Sequence, residues 1–208
     1  MTTLRSAVHQ AASLLLAYPD THWPAGLAAV TETMRPLPGE APAALLRFCA
    51  HARAVPLLDL GARYILTFDH SRRRTLHLTY YTDGDTRRRG ASLARIKALY
   101  RAHGWQPSDG ELPDYLPAVL EFAARCPEPG LRLLCDHRPA VELLGHALDK
   151  HRSPYADVLR AVSGTLPAPA AGDHAAALTL ARTGPPTENV GLDPFPADAS
   201  ARSEGARR

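Results

Sequence analysis

Asp83-Gly84-Asp85 opens the way a calcium loop opens, with carboxylates at alternate positions. Such a loop needs further oxygen ligands, a glycine at its sixth place and a glutamate at its twelfth. Counted from Asp83, those places hold Arg88 and Ala94, so the motif is assigned to a turn ahead of a helix. Asp85 is then the expected N-cap, and both acids suit the positive helix end. Arg87-Arg88-Arg89 follows in the first turn, where the helix dipole disfavours cations, and Arg72-Arg73-Arg74 makes a second basic run. These arginines can pair with Asp69, Asp83 or Asp85, hold a phosphate, steer an acidic partner, or simply form a solvated face. No aromatics interleave with them as base stacking would need.

Cys126, Cys135 and His137 come nearest to a metal set, but their spacing does not match paired zinc ligands. His51, His70 and His77 lack a nucleophile or acid at a recognisable motif spacing. No Walker-type or dinucleotide-type glycine loop is present. No metal site and no catalytic apparatus is therefore expected. The remaining unusual stretch is Glu111-Leu112-Pro113-Asp114-Tyr115-Leu116-Pro117, continued by Glu121-Phe122. Asp114 and Glu121 are seven residues apart, nearly two helical turns, and would share a face. They read either as a dipole-favoured helix start with one exposed acid, or as an acidic strip beside an apolar groove that grips a basic, amphipathic segment of a partner.

The elements that must position these residues read as helices. Leu4, Val8, Ala11 and Leu15 recur at helical spacing before Pro19. Further helices are expected over 25–35, 43–54 and 56–68. The stretch 75–81 alternates Leu76, Leu78 and Tyr80 as a strand would, but with no second strand to pair with it is assigned to helix. A strong helix is expected over 86–103, striped by Leu93, Ile96, Leu99 and Tyr100 and ended by Gly104. Another starts near Pro113, one over 131–150 breaks near Pro139, and Ser153-Pro154 opens the last. Beyond Pro167 the apolar period is lost among Pro, Ala and Gly, leaving at most a short helix over 175–181. The expected architecture is all-α: a helical domain over 1–166, with eight or nine helices, and a disordered Pro-rich tail over 167–208.

Composition agrees with a globular chain. Hydrophobic residues are 45% of the 208, while 24 basic against 21 acidic residues give a net charge too small to demand nucleic acid or a membrane. No apolar run is long enough to span a bilayer. Three cysteines without a secretory leader read as small buried hydrophobes in a reducing, cytoplasmic setting.

The segment Tyr80-Tyr81-Thr82-Asp83-Gly84-Asp85-Thr86-Arg87-Arg88-Arg89-Gly90 resembles the signature of the nitrate reductase molybdenum cofactor assembly chaperones, the delta-subunit family. The stretch Glu111-Leu112-Pro113-Asp114-Tyr115-Leu116-Pro117 with Leu120-Glu121-Phe122 is similar to its second signature. Tyr64-Ile65-Leu66-Thr67-Phe68-Asp69 and Leu14-Leu15-Leu16-Ala17-Tyr18-Pro19-Asp20 also fit, so the likeness covers residues 10–165. One departure is Tyr115, where that family usually carries His; a tyrosine can donate a hydrogen bond but does not become a cation near neutral pH.

The resemblance implies a TorD-like helical fold and a chaperone that is not a catalyst. It implies binding to the immature catalytic (alpha) subunit of nitrate reductase, notably its N-terminal segment, until molybdopterin guanine dinucleotide is inserted into that client. No cofactor of its own, no nucleic acid and no membrane insertion are implied. The client-binding residues expected are Asp114, Tyr115, Glu121, Tyr80 and Tyr81, with Asp83, Gly84, Asp85, Arg87, Arg88 and Arg89 as the signature turn and basic helix. The competing expectation is a basic helical regulator that binds phosphate or nucleic acid through its two arginine runs.

Overall fold

In the computed structural model, residues 2–107 and 110–169 are described, and the expected tail from residue 170 on, with its 175–181 helix, lies outside them. Among the described residues there are ten α-helices: α1 (Thr2–Leu16), α2 (Trp23–Met34), α3 (Glu40–Arg53), α4 (Leu57–Phe68), α5 (Leu78–Asp83), α6 (Arg87–Ala102), α7 (Leu116–Arg125), α8 (Pro127–Asp136), α9 (Arg138–Lys150) and α10 (Tyr155–Ser163). A single 3-10 turn, Arg72–Arg74, joins α4 to the segment before α5.

The core grows around α1 and α7. Val8, Ala11, Ala12, Leu15 and Leu16 of α1 are buried, and α1 packs on α7, α10 and α2. In α7, all but Glu121, Ala124 and Arg125 are buried, as suits a helix enclosed on several sides. Ser13 ties the pair by donating its hydroxyl proton to the Pro117 carbonyl, 2.8 Å away. Where α8 crosses α7, Gly130 lets the backbones meet: a Cβ there would stand 2.2 Å from the Ala123 Cα.

The stretch 75–81 is not wholly helical. Residues 75–77 run extended and His77 forms an isolated antiparallel bridge with Tyr115. Leu116 N–H donates to the Leu76 carbonyl at 2.8 Å, and Leu78 N–H donates to the Asp114 carbonyl at 3.0 Å. The partner that the alternating Leu76 and Leu78 lacked in sequence is the non-helical backbone just ahead of α7. Helix begins only at Leu78. The other differences from expectation are that α7 starts at Leu116 and α8 already starts at Pro127, with the break before α9 at His137. Cys49 is fully buried, while Cys126 and Cys135 are only half-buried; all three are free thiols.

Candidate functional site

A cleft opens where the 3-10 turn, the extended 75–77 segment and the ends of α1 and α4 face the start of α7. One part of it, about 340 Å3, is lined by Phe68, Asp69, Arg72, His77, Tyr80 and Arg89, among others. The adjoining part, about 220 Å3, shares Phe68, Asp69, Thr75 and His77 and adds Tyr18, Tyr64 and Tyr115. Its wall thus takes residues from all four sequence segments singled out above.

Asp114 is the buried post on which the cleft is hung. Its side chain has no solvent exposure. One carboxylate oxygen meets His77 Nδ1 at 3.2 Å; the other accepts from the Thr79 N–H at 3.2 Å and the Thr79 hydroxyl at 2.5 Å. The guanidinium of Arg89 stands 3.6 Å from the same oxygen. Burial alone would push this carboxyl up, but hydrogen bonds from His77 and Thr79 and the charges of His77 and Arg89 outweigh it and hold Asp114 below the usual carboxylate range. A buried charge is tolerable only when satisfied in this way.

The expected exposed strip of Asp114 and Glu121 therefore does not form. Asp114 precedes α7 and points inward, so the seven-residue helical spacing does not apply to it. Glu121 lies on α7 and pairs with Arg125 at 2.8 Å. Its acidic neighbour is Glu111, whose carboxyl is pushed up by partial burial and then by the Glu121 charge.

Arg89 turns inward, which explains one cation at the wrong end of a helix. It reaches Asp114, lies 3.7 Å from Asp85, donates to the Thr79 hydroxyl at 3.3 Å, and stacks 6.0 Å from the Tyr80 ring centroid. Asp85 is not the N-cap. Thr86 occupies that place, its hydroxyl donating to the Asp83 carbonyl at 2.7 Å, and Asp85 serves as the ion-pair partner of Arg89 instead. Gly84 closes α5 at φ 58 and ψ −150, a backbone conformation that only glycine adopts at no cost. Arg87 and Arg88 are exposed on α6. In the other run, Arg74 is turned back to donate to the Thr67 carbonyl at 2.8 Å, capping the end of α4.

The tyrosines divide. Tyr80 and Tyr115 line the cleft. Tyr81 is buried behind it, with its hydroxyl 3.0 Å from the Thr75 carbonyl and 3.2 Å from that of Arg73, so it fixes the arginine turn. Among the lining residues that went unmarked as site residues in the sequence are Tyr18, Tyr64 and His77. Tyr18 stands half exposed over α4 at Gly61, where a Cβ would lie 2.9 Å from its hydroxyl. Its ring meets Tyr64 edge-on at 5.4 Å between centroids.

Beside the cleft, α4 keeps a second apolar face. Leu60, Tyr64 and Phe68 point into the core, yet Leu58 is 85% exposed and Leu66 58%, and Ile65 is a further exposed apolar side chain of the same helix. The sequence signal was there in the apolar residues of α4 that its buried stripe does not use. Among the described residues no three His, Cys, Asp or Glu side chains gather as metal ligands.

The sequence profile of the nitrate reductase delta subunit family matches residues 34–161. The chain is 41% identical over 159 residues to the nitrate reductase-like protein NarX of Mycobacterium tuberculosis, a match covering 76% of this chain; the chain spans only 24% of that relative's length. It is 32% identical to the probable nitrate reductase molybdenum cofactor assembly chaperone NarJ of Bacillus subtilis, covering 79% of this chain and 91% of that one. In fold it is similar to a crystal structure of a redox enzyme maturation protein from Archaeoglobus fulgidus, with a TM-score of 0.59 and 21% identity over 77% of this chain and 92% of the other.

Proposed function

The chain belongs to the nitrate reductase delta subunit family, and from that premise we propose that it is a system-specific chaperone for assembly of a respiratory nitrate reductase. Its client is the immature catalytic (alpha) subunit, held through the N-terminal segment while that subunit receives molybdopterin guanine dinucleotide. The chaperone itself catalyses nothing and keeps no cofactor, and it works in the cytoplasm; no helix among the described residues is long and apolar enough to cross a membrane.

One observation carries the proposal: four sequence segments, up to about a hundred residues apart, converge on a single cleft that is flanked by an uncovered apolar face. A cleft of aromatic and charged groups beside exposed Leu58, Ile65 and Leu66 suits an amphipathic segment. Apolar burial supplies affinity, and the polar cleft fixes direction and register. The phosphate-binding alternative fits less well. Arg74 and Arg89 are committed to internal partners, and Asp69 and Asp85 share the cleft with Arg72 and Arg89.

Co-expression with the catalytic subunit tests this. An affinity-tagged chain should retain the subunit before the cofactor is inserted and release it afterwards. Retention of the finished enzyme alone, or of no catalytic subunit at all, would remove the proposal.

A further inference from the structure

We propose that the Tyr18–Tyr64–Phe68–Tyr115 end of the cleft is a cation subsite, shaped for the guanidinium or ammonium of an arginine or lysine side chain. Only the identity of the chain that presents this side chain, the client segment, rests on the function proposed above.

Four features converge there. Aromatic rings wall the space: Tyr18 meets Tyr64 at 5.4 Å, Tyr64 meets Phe68 at 4.8 Å, and Tyr115 closes the side towards His77, 5.6 Å away. Aromatic ring faces attract cations, so a space lined by several such rings favours one. The cavity, about 220 Å3, is of side-chain size and too small for a helix.

The hydroxyls are oriented for a donor. Tyr64 donates its one proton to the Leu16 carbonyl at 3.0 Å. Its 3.0 Å contact with the Tyr115 hydroxyl must then use the Tyr115 proton. Tyr115 is left with acceptor lone pairs, which match ammonium and guanidinium groups because these donate and never accept. A neutral ligand needing a donor finds none on that hydroxyl.

The local field is negative. Asp69 lines the subsite, is exposed, and its charge acts on both the Tyr64 and Tyr115 hydroxyls; the Glu111 charge also acts on Tyr115. The arginines of the cleft, Arg72 and Arg89, line its other part. His77 is the basic side chain shared by both parts, and its Nδ1 is held at the buried Asp114 carboxylate.

The test uses the full-length chain with labelled tyrosine rings, titrated by nuclear magnetic resonance with Nα-acetyl-arginine amide and with its neutral isostere Nα-acetyl-citrulline amide. The arginine probe should shift Tyr18 and Tyr115 saturably, with the citrulline probe weaker by about fivefold or more. Asp69→Asn, a change at an exposed position, should weaken the arginine probe several-fold and leave the citrulline probe unaffected. Tyr115→Phe keeps the ring, removes the acceptor, and should weaken the arginine probe as well. Equal binding of the two probes, no saturable shift with either, or an Asp69→Asn protein indistinguishable from the parent would overturn the subsite. Because the probe is a free amino-acid derivative, the outcome does not depend on the client: a chain that binds arginine but ignores the client segment would refute the proposed function alone.

Discussion

Asp114 shows how one side chain can join two distant signatures. It draws His77, Thr79 and Arg89 onto one buried carboxylate, so truncation leaves several donors stranded at once. Asp114→Ala should cost about 3–5 kcal/mol, the range for breaking a buried charge network by removing one partner, read from urea unfolding at neutral pH. The carboxyl is held below its unfolded value, so its contribution is present above about pH 4 and is lost as pH falls through the folded value beneath that. Asp114→Asn should flatten that acid limb while lowering stability at neutral pH. His9 has a different window. It is buried in α1 and donates from Nε2 to the Thr165 hydroxyl at 2.8 Å, since Thr165 uses its own proton on the Val162 carbonyl. Burial, and then the charge of Arg5, lowers its pKa to about 4. The unfolded chain therefore takes up this proton first, and stability is full above about pH 6.5 and declines from there to about pH 4, by about 3 kcal/mol. His9→Gln should remove that slope in a pH series of thermal melts.

At the scale of elements, two glycines separate packing from function. Gly130→Ala should destabilise by about 1–3 kcal/mol, because the added methyl meets the α7 backbone, which cannot step aside as a side chain can. Gly61→Ala should behave in the opposite way. Alanine favours the α4 helix by up to about 1 kcal/mol, and the atom it meets is the movable hydroxyl end of Tyr18. Thermal stability should hold or rise while client binding falls, since Tyr18 is pushed from the cleft. Most helices were legible in the sequence because their apolar stripes and prolines are strong local signals, as in α1, α3 and α6. The extended 75–77 segment was not, because its partner lies almost forty residues away in a stretch with no strand pattern of its own. The same non-local bridge explains the misplaced Asp114: helical spacing from Pro113 assumed a helix that begins only at Leu116. Tyr80 and Tyr115, expected from the sequence to bind a client, line the cleft, whereas Tyr18 became visible as a lining residue only once α4 lay beneath it.

On the scale of the whole molecule, the α1–α7 core carries a cleft and an uncovered α4 face, the two surfaces proposed above to take the client segment. Leu58 and Leu66 contribute little to the core, so replacing both with serine should change stability by only about 0.5 kcal/mol each while weakening client binding. The most direct measurement is a calorimetric titration of the full-length chain with a synthetic peptide matching the N-terminal segment of its nitrate reductase catalytic subunit. The proposed function predicts saturable one-to-one binding, a negative heat-capacity change from apolar burial, and marked weakening in the Leu58→Ser/Leu66→Ser double variant with its helical spectrum intact. No heat at high micromolar peptide from a folded sample, or equal binding by parent and double variant, would contradict it.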